Sequence, residues 1–569
     1  MQKGKERTMS DNRENGSSEE LLEEYSKEMP KLMDPGIFII AVIASVLGAI
    51  VGMQVLTHTG VAPDTSVVGA LLAVLISQIP IRFLKRFKNI HCQNLVQTST
   101  SGATFSAANC MLLTIGVPYI MGYTEFMYPM LIGVTLATIV DATILYKSFG
   151  SPMFPADAPW PPGIATAETI LATVKKGKRA GLLVVGAVAG WAGAMAGIPM
   201  DLFGVAWVGS VLAIGAFGVG ALIVGIIESN AFAFTVFGHE FIIAQDIFGK
   251  GFVSADHVAL NYMGHGIMIG AGIISLIQCG RMLFKKADKD NSAASQFGTS
   301  IKDMRSALGK GFIAYLVIAL GLAIVSGLWY EMKPGMFILW IIFAAVAALV
   351  SELIVGVSAM YSGWFPGFAT ALIFLILGML IGFPKLPLAV LAGFTAATGP
   401  CFSDMGNDLK AGYILRGSGK NPELEKEGRK QQYFSELLGF AVAFVIVAIF
   451  AKTYFSQGLF PPINATYAST IEAGSSVEVL KWLAIWAIPG AVIQIAGGNH
   501  QVGILFATGI LVGGTIYGLT VIIATIIRVI VIKKNPKNDD ILMILGAGSL
   551  VGCALHDFAN SMLGAFKSK

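Results

Sequence analysis

Two carboxylates, Asp404 and Asp408, stand four residues apart at the end of an apolar run, just after the break Thr398-Gly-Pro400. This spacing places both on one face of a helix, where like charges repel and favour the capture of a proton or a cation. Lys410 stands at neither helical spacing that would pair it with them. Asn407 adds an amide to the same turn. A solvated helix end leading into a basic loop would give the same pattern, so both interpretations stay open.

Two further polar groups interrupt apolar runs. The first opens a predicted helix with Gln93, Asn94, Gln97 and Thr98. These amides could bind the carbonyls and amines of a solute, although hydrogen bonding between membrane helices explains them equally well. The second is Glu168, in the early turns of a helix that follows the Pro161-Pro-Gly break. A helix N-terminus can hold an anionic group, and a capped helix at the membrane surface is the alternative.

A third group lies near the middle of the chain, where Glu228, His239 and Glu240 accompany apolar residues. The pair His239-Glu240 could begin a zinc-hydrolase HExxH motif, but Ile243 occupies the position of the second histidine. A proton relay is the functional alternative, because buried His and Glu can titrate near neutrality. His265, two helical turns after another histidine, fits a packed and hydrogen-bonded side chain better than a metal ligand.

The elements that must position these groups are set by composition. The chain has 569 residues, of which 55% are hydrophobic and 13% charged, with a mean hydropathy of +0.71. About a quarter of the residues of a soluble domain are charged. Apolar stretches of the roughly 20 residues needed to cross a bilayer recur from Pro35 nearly to the C-terminus. The sequence therefore predicts an all-α polytopic membrane protein of about 14 to 16 transmembrane or re-entrant helices in two pseudo-repeated halves.

The same composition excludes several classes of protein. The net charge of +4 is spread over short loops, so no nucleic-acid surface is expected. Five isolated cysteines indicate neither a disulfide framework nor a zinc site. The chain has no Walker motif, which excludes ATP drive by the chain itself. Glycine and proline breaks at membrane depth are tolerated where backbone lines a cavity, while many of the glycines serve close helix packing.

Charge distribution predicts the domain organisation. The polar segment 1–34 is expected to be a cytoplasmic tail, followed by a transmembrane half over 35–284 and a hydrophilic linker over 285–310. The second transmembrane half spans 311–569 and contains a cytoplasmic loop over 409–433. Lys and Arg concentrate in loops that should face the cytoplasm. We expect a multi-pass protein of the cell membrane with a cytoplasmic N-terminus.

Several of these motifs lie in an order found in a known family. The segment from Ala392 to Tyr413 places Ser403-Asp404 before Asn407-Asp408-Leu-Lys410, and Asn94-Leu-Val-Gln97-Thr98 and Gly163-Ile-Ala-Thr-Ala-Glu168 precede it. These motifs resemble the oligopeptide transporter superfamily, which includes the yellow stripe-like metal-chelate transporters, in a bacterial-type form. With a weaker likeness from Gly546 to Gly564, the resemblance covers nearly the whole chain.

The resemblance implies a secondary active transporter, a proton-coupled symporter that imports oligopeptides or peptide-like metal chelates by alternating access. It implies no enzyme activity and no cofactor beyond the proton gradient. A passive channel is the main alternative, and a membrane-embedded metallohydrolase is less favoured. The expected partners are the lipid bilayer and the small peptide or chelate, without nucleic acid, and a homodimer is compatible with the sequence.

We expect two sets of site residues. The substrate-binding set consists of Gln93, Asn94, Gln97, Thr98, Glu168, Asp404, Asn407 and Asp408. The proton-coupling set consists of Glu228, His239, Glu240, Asp408 and Asp557. Asp557 belongs to the second set because it stands one helical turn after Cys553, where bacterial members of the family often carry an acid.

Overall fold

A computed structural model describes residues 29–59, 87, 89–171, 178–208, 211–249, 260, 262–284, 299–363, 365–473, 477–497 and 502–567. Residues 1–28 of the predicted cytoplasmic tail, an apolar stretch over 66–84, the histidine two turns before His265 (His257) and most of the linker over 285–310 lie outside the described residues. Over the described residues the fold is almost wholly helical.

The first part of the chain forms helices and one hairpin. Its elements are α1 (Pro35–Thr59), α2 (Ile90–Phe105), a π-helix (Ser106–Leu112), α3 (Leu113–Ile120), α4 (Met127–Ser148), α5 (Pro161–Leu171), α6 (Lys178–Met195), α7 (Met200–Val208), α8 (Val211–Ser229), β1 (Ala231–Val236), β2 (His239–Gln245) and α9 (Met263–Phe284).

The second part forms helices and no strand among its described residues. Its elements are α10 (Ile301–Val325), α11 (Leu328–Glu331), α12 (Pro334–Ser362), α13 (Gly367–Ile381), α14 (Lys385–Ala397), α15 (Pro400–Leu415), α16 (Pro422–Ser456), α17 (Pro462–Ala473), α18 (Val477–Gly497), α19 (Val502–Val512), α20 (Thr515–Lys534) and α21 (Asp539–Lys567). Short 3-10 turns occupy Thr124–Phe126 and Pro536–Asn538.

The helices have the length and surface of membrane spans. Within the described residues, nine helices are long and apolar enough to cross a bilayer, and several shorter apolar helices accompany them. Aliphatic side chains cover their outer faces: on α10, Ile313, Val317 and Ile324 are all more than half exposed. Such a continuous apolar stripe would be a liability in water but matches a lipid environment. The prediction of an all-α polytopic membrane protein is confirmed.

One hairpin departs from the helical pattern. Strands β1 and β2 pair antiparallel, and Phe237 and Gly238 form the turn between them with φ of 51° and 73°. Two consecutive positive φ angles are what a tight two-residue hairpin turn requires. The burial expected for His239 and Glu240 is wrong, because both side chains are exposed on β2. The aromatic residues around them belong to strands rather than to a buried helix.

Six helices enclose the polar centre of the described fold. Helix α15 packs against α2, α4, α5, α12 and α16, and α16 also contacts α2 and α4. Between α14 and α15 the helical path is broken at Thr398 and Gly399, where Gly399 has a φ of 104°. Between Asn94 and Asn109 the helical path has no such break and only widens into the π-helix.

The cytoplasmic loop expected over 409–433 is largely helical. Helix α15 continues to Leu415 and α16 begins at Pro422, so residues 416–421 alone make the connection. Asn421 caps α16 by accepting a hydrogen bond from the main-chain N–H of Leu424. The charged residues that suggested a solvated loop are instead placed on a helix, and some of them are buried.

The break before α15 generates the first prediction. A Cβ at Gly399 would lie 2.8 Å from Cβ of Val355, whereas a Cβ at the exposed Gly382, which has a φ of 93°, would meet no atom within 4 Å. Both substitutions by alanine strain the backbone, but only Gly399→Ala also requires α12 to move. We expect Gly399→Ala to destabilise the protein by about 1 to 3 kcal/mol more than Gly382→Ala. Thermal unfolding in detergent measures the difference, and equal losses would contradict it.

Candidate functional site

Three buried carboxylates meet at the centre of the helix packing. Asp404, Asp408 and Glu436 each bring one oxygen to within 4.8 Å of the others. Their exposures are 2%, 0% and 0%. The two aspartates share one face of α15, as their spacing predicted, and Glu436 approaches from α16. Three negative charges this close in a membrane interior repel strongly, so this acidic cluster is built to take up a proton, a cation or a cationic group of a ligand.

Helix α2 supplies hydrogen-bond donors to the acidic cluster. Ser101 Oγ donates to Asp404 Oδ1 at 2.7 Å, and Gln97 Nε2 donates to Asp408 Oδ1 at 2.6 Å. Asn94 Nδ2 donates in turn to Gln97 Oε1 at 3.1 Å. The amide group and the acidic pair, recognised separately in the sequence, are thus parts of one site. All of these side chains are buried.

Helix α16 adds a further amide and the third acid. Gln432 Nε2 donates to the Asp408 main-chain oxygen at 2.6 Å and to Thr98 Oγ1 at 3.2 Å. One turn further, Glu436 faces Gly102, where an added Cβ would lie 2.8 Å from the Glu436 carboxylate carbon. No N–H or hydroxyl among the described residues donates to either oxygen of Glu436. The glycine therefore leaves room for a carboxylate whose titratable neighbours include both Asp404 and Asp408.

Cations close to the cluster in sequence bind other groups. Lys410 Nζ donates to the Ala156 main-chain oxygen at 3.0 Å. Arg416 and Arg429 both bind Glu425, with Nε to carboxylate distances of 2.7 and 2.6 Å. Helix α16 thus carries two buried glutamates in opposite situations. Glu425 lies between two guanidinium groups, while Glu436 faces two other acids.

The remaining predicted binding residues lie around the cluster. Gln93 is buried and its Nε2 donates to the Phe87 main-chain oxygen at 2.8 Å. Asn407 is 5% exposed, on the α15 turn that also carries Asp408. Glu168 is buried on α5, which packs against α15 where Gly163 meets the Asn407 backbone. The predicted binding residues therefore come together on α2, α5 and α15, in the interior of the described fold.

The predicted proton-coupling residues are not brought together. Glu228 lies exposed at the end of α8, and His239 and Glu240 are exposed on β2. Asp557 is exposed on α21, with Oδ1 3.1 Å from His556 Nδ1. Asp408 is the one member of this set in the acidic cluster.

A comparison with protein families decides the relationship. The family profile described as OPT oligopeptide transporter protein matches residues 35–252 and 195–563. The chain belongs to the OPT oligopeptide transporter family. A search of curated proteins found no match. The family is one of membrane transporters of oligopeptides, and all three acids of the cluster lie within the region of this OPT protein that matches.

Sequence patterns did not point to Glu436 of this OPT protein. The start of α16 carries Glu423, Glu425 and Glu427 among basic residues, a pattern typical of a solvated helix. The available signal was the face formed by Gly428, Gln432 and Glu436 at successive intervals of four residues. An amide and an acid that follow a glycine on one face, just where the helix becomes apolar, indicate a polar contact inside the bundle.

The two buried glutamates of α16 make a matched pair for mutation. Glu425→Gln leaves two buried guanidinium groups without a counter-charge, which we expect to cost about 3 to 5 kcal/mol of stability. Glu436→Gln removes a carboxylate that two other acids repel and that no cation among the described residues binds, so the melting temperature should stay equal or rise. Thermal unfolding of the purified OPT protein at neutral pH compares them. A loss for Glu436→Gln as large as that for Glu425→Gln would show that Glu436 is a structural residue.

Proposed function

We propose that this OPT protein is a secondary active transporter, a proton-coupled symporter that imports oligopeptides or peptide-like metal chelates by alternating access. The observation that carries the proposal is the buried cluster of Asp404, Asp408 and Glu436 with the amides of α2 and α16 around it. A polar centre of this kind between membrane helices is expensive to maintain and serves a solute or ion pathway.

The chemistry of the cluster fits a peptide. A peptide carries an ammonium group at one end, which carboxylates bind, and amide groups along its length, which side-chain amides bind by both donating and accepting. Gln97 and Asn94 supply such amides, and Asn407 Oδ1 has no donor among the described residues. A metal chelate would present its cationic centre to the same acids.

The state of the site fits alternating access. The side chains of Asp404, Asp408 and Glu436 are almost wholly inaccessible. A solute can reach them only if α15 moves relative to α2 or α16. The discontinuity at Thr398 and Gly399 gives α15 a separate attachment from α14, as in transporters whose broken helices carry the binding site.

A proton gradient supplies enough energy for accumulation. A proton that crosses a potential of about 100 mV gains roughly 2.3 kcal/mol, which corresponds to about fifty-fold accumulation of a neutral solute. Of the carriers proposed from the sequence, Asp408 is supported by its place in the acidic cluster. Glu228, His239, Glu240 and Asp557 stay proposals with weaker support, because their side chains lie at the protein surface. Import across the cell membrane, with the N-terminus in the cytoplasm, completes the proposal.

Reconstituted vesicles test the coupling. Purified protein in proteoliposomes receives the same defined tripeptide pool on both sides, without sodium, and a pH gradient of one unit, acid outside, is imposed with the membrane potential clamped at zero. Symport of one proton per peptide predicts about tenfold accumulation of the transported tripeptides, measured by mass spectrometry of the vesicle contents. A ferric metallophore replaces the pool in a parallel series. Flux that ignores the gradient would indicate a passive channel instead.

Side-chain substitution tests the site. Gln97→Ala removes the donor to Asp408 and the acceptor for Asn94, so we expect uptake to fall at least tenfold, equivalent to about 1.4 kcal/mol of lost interaction. Gln457→Ala is the control, because Gln457 is exposed at the end of α16. Uptake is divided by the amount of each protein in the membrane. Parent-like uptake by Gln97→Ala would show that this amide serves packing alone.

A further inference from the structure

A second group of buried acids lies at the N-terminus of α15. Asp141 of α4, Tyr315 of α10 and Glu352 of α12 are all 0% exposed. The Tyr315 hydroxyl donates to Glu352 Oε2 and lies 3.4 Å from Asp141 Oδ1. Neither the sequence motifs nor the acidic cluster on α15 and α16 includes these residues.

Asp141 and Glu352 accept hydrogen bonds from different kinds of donor. Asp141 Oδ2 accepts from the main-chain N–H groups of Gly399 and Phe402, each at 2.9 Å. An anion is favoured there, since Asp141 faces the first N–H groups of α15. Glu352 receives the Tyr315 hydroxyl on one oxygen, and its Oε1 has no hydrogen-bond partner among the described residues.

One hydroxyl proton cannot satisfy two carboxylates. The titratable groups that act on Asp141 and Glu352 are each other and Tyr315, and no described Lys, Arg or His does so. Two ionised acids in this setting would leave two negative charges without a cation in a dry interior, which is very unfavourable. A single added proton on Glu352 Oε1 reduces the pair to one charge, and that charge remains on Asp141 where the helix N-terminus holds it.

We propose that Glu352, rather than Asp408 of the acidic cluster, is the carboxylate that loads and releases the coupling proton, and that Asp141 is a positioning residue that ties it to α15. This inference rests on the proposed proton-coupled transport. On loading, a proton from water forms an O–H bond at Glu352 Oε1 while Tyr315 keeps its own proton. Release on the other side breaks that bond and returns the proton to water. In the present state Asp141 and Glu352 are both 0% exposed. A proton carrier must be shielded from water in this way while access from both sides of the membrane is closed.

The location of the pair explains how a proton could act on the solute site. Asp141 binds the α15 backbone at Gly399 and Phe402, and Asp404 follows Phe402 by two residues. When Glu352 loses its proton, the returning negative charge repels the Asp141 carboxylate that holds α15. The charge of Glu352 therefore acts on the position of α15, the helix that carries Asp404 and Asp408, at the break that precedes it. No long chain of proton-transfer groups is needed.

Three glutamate variants test the proposal. Glu352→Gln keeps the shape of the side chain but cannot titrate, Glu352→Asp is shorter but can, and Glu331→Gln alters an exposed glutamate of α11 as the control. Proteoliposomes with the tripeptide pool measure two quantities: accumulation under an acid-outside gradient of one unit, and exchange of labelled for unlabelled tripeptides at equal pH on both sides.

The proposal predicts that the two activities separate. Glu352→Gln loses the roughly tenfold accumulation expected of the parent yet keeps exchange, Glu352→Asp keeps part of both, and Glu331→Gln matches the parent. A structural role predicts the reverse order, with the isosteric glutamine tolerated better than the shorter aspartate, and that order overturns the proposal. Parent-like accumulation by Glu352→Gln overturns it too, while the proposed function stands. A parent that accumulates nothing contradicts the proposed coupling itself, and the role of Glu352 with it.

Infrared spectroscopy supplies a readout that needs neither transport nor a glutamine variant. The parent protein should show the carbonyl stretch of a protonated carboxylic acid, and Tyr315→Phe should shift the position of that band because it removes the hydroxyl that donates to Glu352. A protonated-acid band that Tyr315→Phe leaves unchanged would belong to other carboxyls and would overturn the proposal. Absence of the band at every pH would do the same.

Discussion

The polar centre depends on the hydrogen bonds that Asp141 accepts from the main chain at the start of α15. A helix that begins inside a membrane protein leaves main-chain N–H groups without partners, and each unsatisfied group costs several kcal/mol at this depth. Asp141 accepts from Gly399 and Phe402 and so makes the break tolerable. Because Asp404 and Asp408 follow on the same helix, the direction of that acidic face is set by a residue of α4, far away in the chain.

Two buried charge arrangements on α16 show what distinguishes structure from function here. The Glu425 carboxylate forms ion pairs with both Arg416 and Arg429. Around Glu436 the neighbours are two acids, and α2 supplies hydrogen bonds only to those acids. The first arrangement stabilises the connection between two helices. The second concentrates three carboxylates at one place, and a positively charged ligand that binds them stabilises whichever conformation presents the site.

The sequence was sufficient for the helical membrane fold and for part of the site. Asp404 and Asp408 were recognised because a spacing of four is local information, and the α2 amides because they interrupt an apolar run. Glu436 was hidden among the charges of α16. Asp141 stands alone in an apolar run and was a detectable signal, but its pairing with Glu352 depends on α4, α10 and α12 being neighbours, which no local pattern contains. His239 and Glu240 were expected to be buried because their neighbours are apolar, but the segment forms a strand hairpin that exposes both side chains.

The π-helix between α2 and α3 has a consequence for how these two helices are oriented. An α-helix turns by about 100° per residue, and a π turn holds an extra residue. Removing one residue from Ser106–Leu112 would rotate α3 by about 100° relative to α2, and would carry Thr114 and Gly116 away from Gly393 and Asn464, which they meet closely. The π turn therefore changes the angular position of the α3 side chains about the helix axis. As a result, α2 presents its polar side chains to the acids, while α3 presents small residues to α14 and α17.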